Sequence, residues 1–316
     1  RSAMRWDCPQ TSLFDLLDEE LLLHVLVQCG EESAFPLAWT CVDFWRVLHR
    51  AARDAGRASP LFRTPAAPFM RSPAAFRWMH GAGYKGSHAC MLAAEGGSLE
   101  TLKAARDLGF EWDASTCEMA AAGGHLATLQ WCHDQGCDWD ANACARAAAG
   151  GHLDTLQWLH AQGCPWDPRT CQEAARHGHL PLLCFARSEG CNWTVDTCSE
   201  AAASGHLEVL EWARSYGCPW DEETCAQAAA GGHFAILQWA HAHGCPWDEE
   251  TCRHAAGIGR LDMLRFARER GCPWDSSTAT AAAMCGALDV LEWAVGRGLP
   301  LDTWTCRAAA SCGHLH

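Results

Sequence analysis

The chain repeats itself every 27 residues, and that period constrains its fold more than any other feature. Trp112, Trp139, Trp166, Trp193, Trp220, Trp247 and Trp274 form one series, which Leu301 continues. Gly97, Gly124, Gly151, Gly178, Gly205, Gly232, Gly259, Gly286 and Gly313 form a second. His125, His152, His179, His206, His233 and His314 form a third, with Ser98, Arg260 and Ala287 as its exceptions. No gap is needed from about residue 84 onward. A period of this size means a stacked array of small units, none of which can bury its apolar face alone; about three or more must stack to be stable.

One copy, Gly217 to His243, shows how a unit should fold. The residue after the periodic Trp is Asp, or Thr194 in one copy, and both are good helix N-caps. Pro168 follows in one copy, where it suits the first helical position. These signals predict a short first helix with Cys225, Ala228 and Ala229 on one face, ended at Gly231-Gly232 because glycine takes the left-handed conformation that closes helices. The periodic Trp stands just before the cap, where it is expected to staple onto the fourth helical residue, usually Cys. A second helix follows at once, with the apolar stripe Leu207, Leu210, Trp212 and Ala213, and closes at Gly217. Its large residue recurs as Trp131, Trp158, Trp239 and Trp293 and as Phe185 and Phe266, an aromatic-for-aromatic exchange that reads as a core position.

The run Ala-Ala-Gly-Gly-His-Leu, followed by Leu, a large residue and Gly, resembles the second half of an ankyrin repeat. The likeness covers residues 84–316. At 27 residues the unit is shorter than the usual ankyrin repeat of about 33, and the shortfall lies between the second-helix glycine and the Ala-Ala, where the projecting β-turn finger belongs. The resemblance therefore implies an all-α, ankyrin-like α-solenoid without the finger, built to bind proteins.

Residues 1–12 carry no periodic signal and read as a lead-in. Residues 13–50 hold an amphipathic helix, with acids in the first turn of Leu17 to Leu26, and a second dense apolar segment, Ala34 to Leu48. Leu17 to Leu26 and Thr40 to Val47 together resemble an F-box, with Asp18 where that motif has proline. The resemblance implies docking on a Skp-type adaptor, and hence membership of a cullin-type ubiquitin ligase as its substrate-recognition subunit. By position, Leu17, Leu21, Leu22, Val25, Leu26, Pro36, Leu37, Phe44 and Trp45 would make or support that contact. Residues 51–74, rich in Ala, Arg, Pro and Ser, read as a linker, and the array occupies 75–316, with Phe76 to His80 as the second helix of a degenerate first unit. The alternative is a non-catalytic scaffold in a larger assembly, with the N-terminal helices capping the first repeats.

A net charge of −14 argues against nucleic acid or an anionic membrane as the main partner, since both need a basic footprint. No apolar run reaches the roughly 18 to 20 residues of a membrane span. No signal peptide is evident, which points to a cytoplasmic or nuclear protein; the opening on Arg1 and the stop at His316 within a unit suggest a piece of a longer chain.

The 21 cysteines invite a metal or disulfide reading. Most fall at two repeat positions: the loop set Cys137, Cys164, Cys191, Cys218, Cys245 and Cys272, and the helix set Cys90, Cys117, Cys144, Cys171, Cys198, Cys225, Cys252 and Cys306. Phe110 and Leu299 take the loop position elsewhere, and Ala279 the helix position, as an apolar filler would be exchanged and a ligand would not. Along a helix Cys225 and His233 stand about 12 Å apart, and equivalent residues of neighbouring helices roughly 8 to 10 Å apart. Neither spacing lets them share a zinc ion. No metal or cofactor is expected.

A catalytic site should break the repeat, and no nucleophile elbow, phosphate loop or zinc-protease helix is present, so no enzyme activity is expected. The histidine of each Gly-His pair reads as bridging polar groups in the interhelical turn. Binding specificity should lie where the copies differ while facing outward. Met119, Arg146, Arg169, Glu173, Arg176, His177, Arg253 and His254 are the candidates for holding a target protein, because they break an otherwise bland Ala, Ser and Glu surface.

Overall fold

The computed structural model describes residues 86–314 together with Pro73, Phe76, Arg77 and His80. The F-box-like segment with its adaptor residues Leu17 to Trp45, the lead-in, Trp78 and the linker apart from Pro73 lie outside the described residues. Within them the chain is all helical. The first helices of successive units are α1 (Ala89–Glu95), α3 (Ala114–Ala122), α5 (Ala141–Gly150), α7 (Pro168–Arg176), α9 (Val195–Ala203), α11 (Glu222–Ala230), α13 (Glu249–Gly257), α15 (Ser276–Cys285) and α17 (Thr303–Ser311). Between them lie the second helices α2 (Leu99–Asp107), α4 (Leu126–Asp134), α6 (Leu153–Ala161), α8 (Leu180–Ser188), α10 (Leu207–Ser215), α12 (Phe234–Ala242), α14 (Leu261–Glu269) and α16 (Leu288–Val295).

The first helices start as their caps dictate. Asp113, Asp140, Asp167, Asp248 and Asp275 adopt extended backbone, and their carboxylates accept from the amide two residues on. Thr194 keeps the extended geometry without the side-chain bond. From each second-helix glycine the chain runs through a short loop straight into the next first helix, and no strand or finger forms among the described residues.

The array stacks as helix pairs in which each first helix packs closely on the first helices before and after it, while the second helices lie behind them and meet one another only lightly. Paired alanines make the close approach possible: Ala120 and Ala121, Ala147 and Ala148, Ala174 and Ala175, and Ala228 and Ala229 have no exposed surface. The second helices contribute the larger core residues, with Leu129, Leu156, Leu183, Leu210 and Leu237 fully buried. Before the first complete unit, buried Phe76 and the ring of His80 pack on Phe110 with centroids 5.5 and 5.4 Å away.

Units are joined through the periodic Gly-His pair, and the contact runs between units rather than within one interhelical turn. The Nε2–H groups of His125, His152, His179 and His233 donate to the carbonyls of Glu95, Ala122, Ala149 and Ala203, all in the preceding unit, at 3.0, 3.0, 3.2 and 3.1 Å. Each acceptor is a carbonyl that the end of a first helix would otherwise leave unpaired. The ring lies where the preceding unit's glycine has no side chain: a Cβ on Gly151 would stand 2.6 Å from the ring of His179. Gly151 also needs its positive φ of 74° to end α5. Gly163, which closes α6, has a similar φ of 77° but nothing within 4 Å of a Cβ. The link weakens at two of the three exceptions. Arg260 replaces the ring with a guanidinium bond to Gly232 O at 3.3 Å, and Ala287 leaves only a methyl 3.6 Å from the Cβ position of Gly259.

The threonine preceding the helix cysteine is buried, and the hydroxyls of Thr170, Thr197, Thr224, Thr251 and Thr278 have no hydrogen-bond partner. Ala143 takes this position in α5, so the methyl is what packs and the hydroxyl is dispensable.

Two outcomes are expected in urea denaturation. Gly163→Ala should lose about 1–2 kcal/mol for left-handed strain alone, whereas Gly151→Ala should lose clearly more, because it also displaces His179; equal losses would remove the steric role of the ring. Thr224→Val should be neutral or stabilise by up to about 1 kcal/mol, since it removes an unpaired buried hydroxyl; a loss of more than about 1 kcal/mol would show that the hydroxyl is bonded after all.

Candidate functional site

Two edges of the solenoid carry periodic side chains beyond the core. On the loop edge, each periodic Trp is half-buried and held between two partners. Its ring packs against the core that holds the helix cysteines and meets two further partners. One side is covered by a residue from the preceding second helix: Arg106, Arg187, Arg214 and Arg268 place their guanidinium carbons 4.3, 4.1, 3.9 and 4.2 Å from the rings of Trp112, Trp193, Trp220 and Trp274. His133, His160 and His241 stack on Trp139, Trp166 and Trp247 at 4.0, 4.0 and 3.7 Å. Edge-on to each Trp stands the large residue of the following second helix, as in Trp139 with Trp158 at 5.6 Å and Trp220 with Trp239 at 5.9 Å. That second-helix aromatic is itself half-buried against the core, so the reading of it as a core position is corrected: it belongs to a ladder at the core's edge.

The reason a position alternates only between Arg and His is that both present a flat, polar face to an indole. Arginine adds a hydrogen bond, from Arg106 to Phe110 O at 2.6 Å and likewise from Arg187, Arg214 and Arg268 to the carbonyls of Cys191, Cys218 and Cys272. The ladder ends where both partners change together, at Val295 and Leu301. The sequence reading missed this position, although the Arg/His series keeps the same 27-residue beat as the tryptophans.

The opposite edge, formed by the outward faces of the first helices, carries the residues expected to bind a target. Arg146, Arg169, Arg176 and His177 are exposed, while Met119, Glu173, Arg253 and His254 are half-buried. Most are tied to neighbours. Arg169 forks onto Asp167, with Nη2 2.7 Å from Oδ2, and reaches Asn142 Oδ1 in the unit before at 2.7 Å; Asn142 in turn donates to Glu118 at 3.2 Å. Arg176 pairs with Glu200 of the next unit at 2.6 Å. Glu173 faces His177 at 3.6 Å. Glu250 accepts from Arg253 and lies 3.7 Å from His254. The hydrogen bond from Arg253 holds the Glu250 carboxyl below the usual range, while burial and then Arg253 push His254 down. Arg146 makes no ion pair or hydrogen bond among the described residues, and its guanidinium stays free on α5.

Beyond α7 this face changes sign. Asp196, Glu222, Glu223 and Glu249 are exposed at the starts of α9, α11 and α13. Desolvation and then the Glu222 carboxylate push the Asp221 carboxyl upward, as crowding of like charges requires.

All cysteines of both sets from Cys117 to Cys272 are buried and unlinked. The loop thiols donate to the carbonyls of the preceding cap residues, as in Cys137 to Asp113 O at 3.3 Å and Cys272 to Asp248 O at 3.1 Å. No three His, Cys, Asp or Glu side chains stand together as metal ligands among the described residues. No described helix is long and apolar enough to cross a membrane.

Residues 117–160, from α3 to the end of α6, match the sequence family described as ankyrin repeats (many copies). Among solved structures, the crystal structure of the human ASB11 ankyrin repeat domain is similar at 19% identity and a TM-score of 0.42, over 50% of this chain and 85% of that one. No curated protein matches the chain. The array is an ankyrin-like α-solenoid, and such repeats are protein-interaction modules.

The loop-edge ladder should contribute measurably to stability. Arg214→Ala is expected to lose about 1–2 kcal/mol, for a cation–π contact and a hydrogen bond to a carbonyl, and Arg214→His less, because three units already use His. Equal losses in urea denaturation would mean that ring stacking adds nothing there.

Proposed function

We propose that this chain is the substrate-recognition subunit of a cullin-type ubiquitin ligase, in which residues 13–50 dock on a Skp-type adaptor and the solenoid holds a target protein. The head is supported by the F-box resemblance of Leu17 to Leu26 and Thr40 to Val47. Catalysis would belong to other subunits. The observation that carries the target-binding half is the contrast between the two sides of the first helices. Their inner sides repeat Thr, Cys and paired Ala almost unchanged, while their outward sides vary from Arg146 and Arg176 to Glu223 and Glu249.

A target suited to this strip would be a protein segment with acids toward α5 and α7 and bases toward α9, α11 and α13. Arg146 would be the first contact, since its charge is not already used within the array, whereas Arg169 and Arg176 would have to exchange partners. Electrostatic complementarity of this kind steers encounter and suppresses wrong partners more than it adds affinity.

The test is a pull-down of a Skp-type adaptor by the intact chain beside a version lacking residues 1–50. Binding by the first and not the second is the expected result. Absence of binding by either folded protein would overturn the ligase reading and leave a non-catalytic scaffold.

A further inference from the structure

Each unit from α3 to α14 contains one helix-set and one loop-set cysteine, 20 residues apart: Cys117 with Cys137, Cys144 with Cys164, Cys171 with Cys191, Cys198 with Cys218, Cys225 with Cys245 and Cys252 with Cys272. The loop brings them together. Cys191 Sγ lies 3.4 Å from the carbonyl of Asp167, the cap of α7, and the same carbonyl accepts the amide of Thr170 at 3.0 Å in the helix's first turn, one residue before Cys171. The loop thiol therefore sits over the first helical turn beside its partner. The cysteines are also lost together, at Ala279 and Leu299, which pack in one apolar cluster. Among the described residues Cys90 stands opposite Phe110 rather than a loop thiol.

We propose that these six pairs are redox modification sites, each closing as a disulfide within its own unit by exchange with a small-molecule disulfide, with the three pairs beside a ladder arginine, Cys171–Cys191, Cys198–Cys218 and Cys252–Cys272, closing first; in the first of these the steps are as follows. The Cys191 thiolate attacks one sulfur of the small disulfide and releases one small thiolate. Cys171, having given up its proton to that thiolate, attacks Cys191 Sγ and expels the second small thiolate, which takes a proton from solvent. The protein loses two hydrogens, and one disulfide becomes two thiols.

These three pairs lead because Arg187, Arg214 and Arg268 donate to the carbonyls of Cys191, Cys218 and Cys272 and so keep a permanent cation beside each of those loop thiols. The Cys171 thiol donates to the Cys191 sulfur and, together with nearby Arg187, holds Cys191 below the ordinary thiol range against the opposing effect of burial. The same arrangement pushes Cys171 upward, so the pair loses its first proton more readily and its second less readily. An isolated thiol behaves otherwise: burial pushes Cys90 up to about 11. In the units of Cys144 and Cys225 the ladder position near the loop is His160 or His241, without a permanent cation.

The experiment incubates the folded, reduced full chain with oxidised glutathione, blocks remaining thiols by alkylation at successive times, and maps links by mass spectrometry of unreduced peptides. The expected result is links only within units, Cys171–Cys191, Cys198–Cys218 and Cys252–Cys272 before the others, with an unchanged helical far-UV spectrum. Arg187→His should slow the Cys171–Cys191 closure several-fold and leave Cys225–Cys245 unaltered. Cys171→Ala with Cys191→Leu, patterned on Ala279 and Leu299, should stay folded and lose this link alone. Links joining different units would overturn the proposal. So would a stable glutathione adduct at Cys191, or paired thiols that stay reduced while the exposed Cys285, Cys306 and Cys312 are modified.

Discussion

The structure depends on a glycine without a side chain meeting a histidine from the next unit. Gly151 ends a first helix in a backbone conformation that other residues adopt at a cost, and the vacancy at its Cα is the space that His179 occupies. The same ring satisfies a carbonyl at the end of α5, at Ala149. One pair of residues thus terminates a helix, sets the spacing between units and settles a hydrogen-bond debt between neighbours. Where the pair is broken, at Arg260 and Ala287, the stack persists through the alanine faces, because the first helices still need one another to exclude water.

The two edges built on that spine divide the labour. The loop edge is nearly invariant in its chemistry: a flat cation or imidazole, an indole, then another ring seen edge-on. It orients the turn between units, since an arginine of this ladder both covers the indole and binds the carbonyl of the loop cysteine. The outward edge of the first helices varies from unit to unit. There the same helical register displays, among the described residues, a free cation in α5, cross-unit ion pairs around α7 and exposed acids at the starts of α9, α11 and α13. A surface that varies on an unvarying frame is how repeat proteins acquire different partners without changing shape.

The cysteines show how one residue type can serve both packing and chemistry. Exchange for Phe110, Ala279 and Leu299 marks them as fillers of the core. Their pairing across the loop gives that filler a second property, because two thiols in contact titrate as a unit. The two roles are compatible: a linked pair would still fill the space between the first helix and the loop.

How much of this was legible in the sequence depends on the range of the interaction. The period, the Asp caps, the Ala faces and the glycine stops are local or repeat exactly in register, so residues such as Asp167, Ala174 and Gly178 announced the helix pairs directly. The direction of the histidine contact was not legible, since His179 is three residues from the end of its own first helix but bonds 30 residues back. The partners of the tryptophans and the thiol pairs were hidden for the same reason: Trp139 lies between rings from two different helices, and Cys191 reaches Cys171 only after the chain has passed through α8 and turned. Helical period alone singled out the outward candidates, but that Arg169 and Arg176 were already engaged and Arg146 was not could be decided only by neighbouring units. The sequence by itself determined the unit, its two helices and its repetition, because these follow from propensity and periodicity. Which side chains meet across units was decided by the tertiary structure, because stacking sets the distance and rotation that bring residues 20 to 30 positions apart into contact.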